Sequence, residues 1–190
     1  MRLVRAALVA ALGVVLASQP VAAHADVRNQ RDAVGDVQQS RVGTNVYTPA
    51  PTQVQGDIVL TRVAAAHRAV WIQVRLRELT PDNNGNFTLV SVKTRSRVRN
   101  VEIDAFPGHW EGATAITDAH GRAVACVVRH RIDYDRNRIS VRIPRKCFGK
   151  APWVRVGVRT TVAGTTWVYA DQSRGTTVGP VLSYGRRVAF

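Results

Sequence analysis

The chain has 190 residues, 27 Lys plus Arg against 13 Asp plus Glu, a formal net charge of +14, two Cys and one Met. That length leaves room for one domain or two small ones, and a hydrophobic content of 45% excludes a disordered chain. Lys93, Lys146 and Lys150 are the only lysines and the remaining basic residues are all Arg, so an anionic partner has to be weighed from the start.

Residues 1–25 open with Arg2 and Arg5, continue through an apolar stretch over 6–17, pass Ser18, Gln19 and Pro20, and reach Ala23, His24 and Ala25. A basic start, a short apolar middle and small residues at the cleavage point are the three parts of a secretory signal peptide. The stretch falls short of the roughly 20 residues that span a bilayer, and no second apolar run follows, so no transmembrane segment is expected after cleavage. The chain is therefore expected to be secreted and extracellular, at the cell wall if it is retained, with its charge lowered by two. Outside the reducing cytoplasm, Cys126 and Cys147 are predicted to form a structural disulfide, because neither a C-x-x-C pair nor a metal-ligand spacing is present.

Residues 26–55 are rich in Gln, Asn, Thr and Pro, alternate poorly, and include Thr48-Pro49-Ala50-Pro51-Thr52. They read as an extended N-terminal arm lying on the domain formed by 56–190. From there the apolar period is two. A strand is predicted over 57–63, and over 69–77 the residues Val70, Ile72, Val74 and Leu76 fall on one face with Trp71, Gln73, Arg75 and Arg77 on the other, which marks a half-buried strand. Further strands are predicted over 87–95, 98–106, 113–117, 123–131, 138–143, 153–162, 166–170 and 181–190. Pro81-Asp82-Asn83-Asn84-Gly85, Pro107-Gly108 and Asp118-Ala119-His120-Gly121 supply the breaks. The short Asp133-to-Asn137 link makes a hairpin of its two neighbours, and Lys146 to Gly149 reads as one helical turn. Eight to ten short strands without a βαβ rhythm predict an all-β chain, a single antiparallel β-sandwich of Ig-like or jelly-roll-like type with an N-terminal arm and one disulfide.

Several segments carry a family likeness. Arg31-Asp32-Ala33-Val34-Gly35-Asp36-Val37, Gly56-Asp57-Ile58, the run from Asp133 to Ile143-Pro144-Arg145-Lys146-Cys147-Phe148, Trp153-Val154-Arg155-Val156 and Tyr169-Ala170-Asp171 together resemble mostly uncharacterised secreted proteins of high-GC Gram-positive, actinobacterial, bacteria. An early Asp-x-x-x-Asp followed by an Asp-Ile strand start is also similar, at the level of fold, to DOMON modules and family 9 carbohydrate-binding modules. That likeness implies a sandwich that binds something, in some members with structural calcium, and no enzymology. A Met and His pair able to ligate haem is missing, since Met1 leaves with the signal peptide.

Asp32, Asp36, Asp57 and Asp171 sit in the arm, at the beginning of a strand and at a turn. Loop carboxylates commonly cap turns or pair with Arg, and this is the stronger reading. Calcium takes roughly six to eight oxygens from such loops, so the same four are candidate ligands for a structural calcium. His67, His109, His120 and His130 lack zinc-ligand spacing, no serine sits in a G-x-S-x-G setting, and no catalytic residue is assigned.

The outward faces carry the sharper expectation. Trp71, Arg75 and Arg77 share one strand face, and Trp153, Arg155 and Arg159 share another. If the two strands lie in one sheet, they form a basic plane with exposed Trp, able to stack on sugar rings and to hold phosphate or carboxylate through paired donors. Against this, a solvated sheet face rich in Arg needs no ligand and discourages edge pairing, and a bulge would turn either Trp into the core. The expected function is a non-enzymatic secreted module contacting an anionic or carbohydrate polymer at the cell envelope; export argues against nucleic acid as its partner. The alternatives are a glycan-directed hydrolase with an unrecognised carboxylate site at Asp57 or Asp171, and a partner-binding or inhibitory domain presenting the Thr80 to Phe87 loop. Oligomeric state stays open.

Overall fold

A computed structural model describes residues 25–179 and 181–190, so the expected signal peptide, apart from Ala25, lies outside the described residues. Thirteen strands follow in order: β1 (Asp26–Arg31), β2 (Gln38–Arg41), β3 (Thr48–Pro49), β4 (Ile58–Ala66), β5 (Ala69–Leu76), β6 (Gly85–Lys93), β7 (Val98–Phe106), β8 (His109–Thr117), β9 (Arg129–Asp133), β10 (Arg138–Pro144), β11 (Trp153–Ala163), β12 (Trp167–Gln172) and β13 (Val188–Ala189). Among the described residues the helical content is two 3-10 turns, Tyr134–Arg136 and Arg145–Phe148. The second is the helical turn expected near Lys146, and Gly149 ends it at φ 68.

The strands form two antiparallel sheets. One has the order β1-β4-β5-β10-β9, and the other β3-β2-β12-β11-β6-β7-β8, with β13 pairing the start of β11. Alternation decides which side chains enter the space between them. Val70, Ile72 and Val74 of β5 and Ile139, Val141 and Ile143 of β10 meet Val90 and Val92 of β6, Val101 and Ile103 of β7, and Val154, Val156 and Val158 of β11 in one buried cluster. Most of these positions are β-branched, which suits a pleated and fully covered surface. The sandwich, its antiparallel pairing and the Cys126–Cys147 disulfide, with 6.0 Å between the two Cα atoms, agree with the reading from sequence.

Two segments differ from expectation, each for a physical reason. Residues 123–128 are not a strand, because here the chain leaves β8 of the larger sheet and crosses to β9 of the smaller one, where no continuous ladder can follow it. The disulfide ties this crossing to the buried Cys147 and Phe148. Of 181–190, only Val188 and Ala189 pair as strand; the preceding residues run across the outer face of β11 as irregular chain. The arm does more than lie on the sandwich. Residues 26–31 become the edge of the five-stranded sheet along β4, while 38–41 become a neighbour of β12 in the other sheet, so the chain changes layers over residues 32–37.

Candidate functional site

Two places concentrate the residues singled out in the sequence: the outer face of the five-stranded sheet, and the seam where the arm changes layers.

On the outer face, register sets the arrangement. Three rows cross the strands from β1 to β9: Val27, Ala64, Trp71, Arg142, Arg129; then Asn29, Arg62, Gln73, Ser140, Arg131; then Arg31, Leu60, Arg75, Arg138, Asp133. With neighbouring strands about 4.8 Å apart, this gathers Arg62, Arg129, Arg131 and Arg142 on the face that carries one indole. Trp71 is 52% exposed, and the Arg142 guanidinium lies 5.2 Å from its ring centre, a cation–π contact that leaves much of the ring open. Two shallow clefts of about 220 Å³ flank the indole, one reached by Arg62 and Gln73, the other by Arg129, Arg131 and Arg142. A larger cleft of about 600 Å³ adjoins them, lined by Arg75, Arg77, Arg136 and Arg138.

The single acid of the three rows is already committed. Asp133 Oδ2 accepts from Arg138 at 2.9 Å and lies 3.5 Å from Arg136 and 3.9 Å from Arg131. Burial opposes ionisation of this carboxyl, but the hydrogen bond from Arg138 and the three positive charges outweigh it and hold it below the usual carboxylate range. Among the described residues no acid pairs with Arg62, Arg75, Arg129 or Arg142. Arg129 and Arg142 stand directly opposite each other across the β9–β10 ladder, a like-charge arrangement that costs free energy until an anion relieves it.

The second half of the expected polymer-binding face is elsewhere. Trp71 and Arg75 belong to the five-stranded sheet, with Arg77 just past the end of β5, whereas Trp153, Arg155 and Arg159 belong to β11 of the other, so the structure does not join them into one plane. Arg155 donates to the carbonyl oxygens of Gly185 at 2.8 Å and Tyr184 at 3.1 Å, and Arg159 donates to that of Gly179. Trp153 is half-buried under the Arg187 guanidinium, 4.4 Å from its ring. These side chains fasten the C-terminal segment onto the larger sheet. Gly157 explains how it lies so close: a Cβ there would sit 2.8 Å from the Ser183 carbonyl oxygen. Arg77 is also occupied, by Asp57 at 3.1 Å.

Of the four acids named as candidate calcium ligands, Asp36, Asp57 and Asp171 converge, with the Asp32 charge felt nearby. Gly56, at φ +84, makes the sharp turn that delivers Asp57 to the beginning of β4; its carbonyl oxygen accepts from the Thr160 hydroxyl, and a Cβ on it would strike Val162 at 2.8 Å. Asp171 reaches from β12 across the seam, where its Oδ2 accepts from the Ile58 N–H at 2.6 Å and its Oδ1 from the Gln172 N–H at 2.6 Å. Asp57 Oδ2 accepts from the Gly35 N–H at 2.8 Å as well as from Arg77. Asp32 Oδ1 takes the Arg174 N–H at 2.8 Å. One carboxylate oxygen each from Asp36, Asp57 and Asp171 lies within 4.8 Å of the others.

The electrostatics of this seam are unbalanced. Burial pushes Asp171 up to about 8, with the Asp36 and Asp32 charges adding to the shift and the Ile58 hydrogen bond opposing it. Burial likewise raises Asp32 to about 6 and raises Asp36, whose shift the Asp57 charge increases. Part of the expected turn-capping role is present in the backbone bonds above, but it does not use all the oxygens.

The Thr80 to Phe87 loop is largely self-satisfied. Asp82 accepts from the Asn84 N–H at 2.8 Å and from Asn84 Nδ2 at 3.0 Å, while Asn86 Nδ2 and Gln55 Nε2 both donate to the Thr80 carbonyl oxygen. Asp57 and Asp171 are 0% and 1% exposed, leaving no opening for a glycan at the carboxylates considered for hydrolysis. Sequence reasoning missed Arg62, Arg129, Arg131 and Arg142 as members of the open face. The alternation of 138–142 was visible, but which strands flank it depends on pairings between residues about 70 positions apart, such as Arg142 with Trp71. Comparison of the chain with known protein families, with curated proteins and with solved structures finds no significant match.

Proposed function

We propose that the protein is a non-enzymatic binding module that holds an anionic polymer of the cell envelope, such as a phosphodiester or acidic polysaccharide chain, against the outer face of its five-stranded sheet. One observation carries the reading: a half-exposed Trp71 lies beside shallow clefts reached by Arg62, Arg129 and Arg142, with Arg75 farther along the same sheet face, and among the described residues none of these four pairs with an acid. A flat face suits an extended chain better than a compact metabolite. The unpaired guanidiniums supply phosphate or carboxylate contacts, and the indole supplies a stacking surface for a sugar ring. The larger sheet is less suited, since Arg155 and Arg159 beside its Trp153 are spent on the C-terminal segment.

The test is retention on immobilised heparin and on immobilised polyphosphate over a salt series, comparing the parent chain with Trp71→Ala and with Arg62→Ser/Arg75→Ser. Elution of both variants at lower salt than the parent is expected. Absence of retention at low salt, or retention equal in all three chains, would refute the assignment of this face.

A further inference from the structure

We infer that Asp36, Asp57 and Asp171, with Asp32 beside them, bind one divalent cation of calcium type at the seam between the sheets. The inference is independent of the arginine face and rests on hydrogen-bond accounting. Asp57 is 0% exposed, yet among the described residues its Oδ1 has no hydrogen-bond partner. Both carboxylate oxygens of Asp36 are buried atoms without a partner among the described residues, and so is Oδ2 of Asp32. A buried carboxylate oxygen left unpaired is costly, and one seam holding several calls for a missing positive partner.

The donor set and the geometry narrow what that partner is. Every candidate ligand atom is a carboxylate oxygen, a hard donor set that favours Ca²⁺ over thiolate- or imidazole-seeking metals. Oxygens held at about 2.4 Å from a central Ca²⁺ can stand up to about 4.8 Å apart. The three oxygens of Asp36, Asp57 and Asp171 lie within 4.8 Å of one another, inside the spacing that ligands of one such ion can have. Charge agrees: among the described residues Arg77 is the only cationic side chain within salt-bridge reach of these four carboxylates, which leaves a surplus that a divalent ion would neutralise. Water and main-chain oxygens would complete the shell.

The placement assigns the ion a task. Asp36 comes from the layer-changing segment of the arm, Asp57 from the turn into β4 of the five-stranded sheet, and Asp171 from β12 of the other sheet. A cation there joins the arm and both sheets at one point.

The experiment uses the purified chain freed of metal with a chelator, titrated with CaCl2 and in parallel with MgCl2 by calorimetry, and melted with and without each salt. One Ca²⁺ per chain is expected, with a melting point higher by roughly 5–10 °C at a hundredfold excess over the dissociation constant. Asp36→Asn, which removes no hydrogen bond, should weaken Ca²⁺ binding at least tenfold and abolish the rise, while Asp82→Asn in the distant turn leaves both unchanged. Asp32→Asn gives a second variant and should weaken binding severalfold. No heat and no melting shift at about 10 mM Ca²⁺ overturns the site, as does undiminished binding by Asp36→Asn. A shift with Mg²⁺ equal to that with Ca²⁺ overturns the calcium assignment. If the parent ignores Ca²⁺ while Asp36→Asn alone raises its melting point, the carboxylates share protons instead and the inference fails.

Discussion

Replacing Arg129 and Arg142 together with Ser separates binding from folding more sharply than any single change. The two residues stand opposite each other in the β9–β10 register, line a cleft beside Trp71, and have no acidic partner among the described residues. In the folded protein their removal relieves a like-charge pair worth about 0.2–1 kcal/mol but gives up the Arg142 cation–π contact with Trp71, worth about 0.5–1 kcal/mol, so the two offset and the melting point should stay within roughly 3 °C of the parent. For a bound polyanion, each lost contact lowers the slope of log K against log salt by about 0.7–0.9. Two contacts then reduce the loss of affinity between 50 and 200 mM salt by roughly seven- to twelvefold. The assay is fluorescence anisotropy of labelled heparin at four or five salt concentrations. Arg95→Ser/Arg97→Ser is the control, because both side chains are exposed at the turn between β6 and β7 and their loss changes net charge equally. A control slope that falls as far as that of the Arg129 and Arg142 variant would mean that bulk charge alone governs binding, and the assignment of the face would be refuted.

Further outcomes follow from the packing. Cys126→Ser/Cys147→Ser opens a loop spanning a separation of 21 residues, for which chain entropy gives a loss of about 3 kcal/mol, visible as a melting point lower by roughly 6–12 °C and reproduced by reductant on the parent. Gly157→Ala forces a Cβ to within 2.8 Å of the Ser183 carbonyl oxygen, and should both destabilise by roughly 1–3 kcal/mol and speed tryptic cleavage after Arg174, Arg186 and Arg187 of the C-terminal segment, read by mass spectrometry of a trypsin time course. Asn137 holds φ 49 while its side chain accepts from the Leu79 N–H at 2.9 Å and donates to the Arg77 carbonyl oxygen at 3.1 Å. Asn137→Ala should cost roughly 1–3 kcal/mol in urea denaturation, more than Asn137→Gly, which keeps the backbone conformation.

The sandwich was legible because its strands alternate strictly, and Val70, Ile72 and Val74 could be placed inward from spacing alone. The same local rule treated β5 and β11 alike, giving each a Trp and two Arg on its outward side. Alternation reports the side a residue faces, not the sheet its strand joins or what later covers it. Arg155 is covered by Gly185, thirty residues downstream, and nothing near Arg155 signals that. The four Asp were recognisable as unusual from their scarcity and their positions at turns and strand starts. That Asp36 and Asp171 would meet depends on the arm changing layers, which the poor alternation of 26–55 concealed.

The layer change has a consequence for association. β1 covers the edge of β4 and β2 covers the edge of β12, so one continuous segment caps an open border on each sheet. Displacing it would uncover two unpaired rows of backbone donors and acceptors at once, one on each layer of the same molecule. A chain with two such borders can accept a strand from a neighbour on each side, which turns pairing into a route to open-ended fibres. The intact fold still has edges at β1 and β3, but these are six and two residues long where β4 and β12 have nine and six, so the first strands shorten the borders open to such pairing.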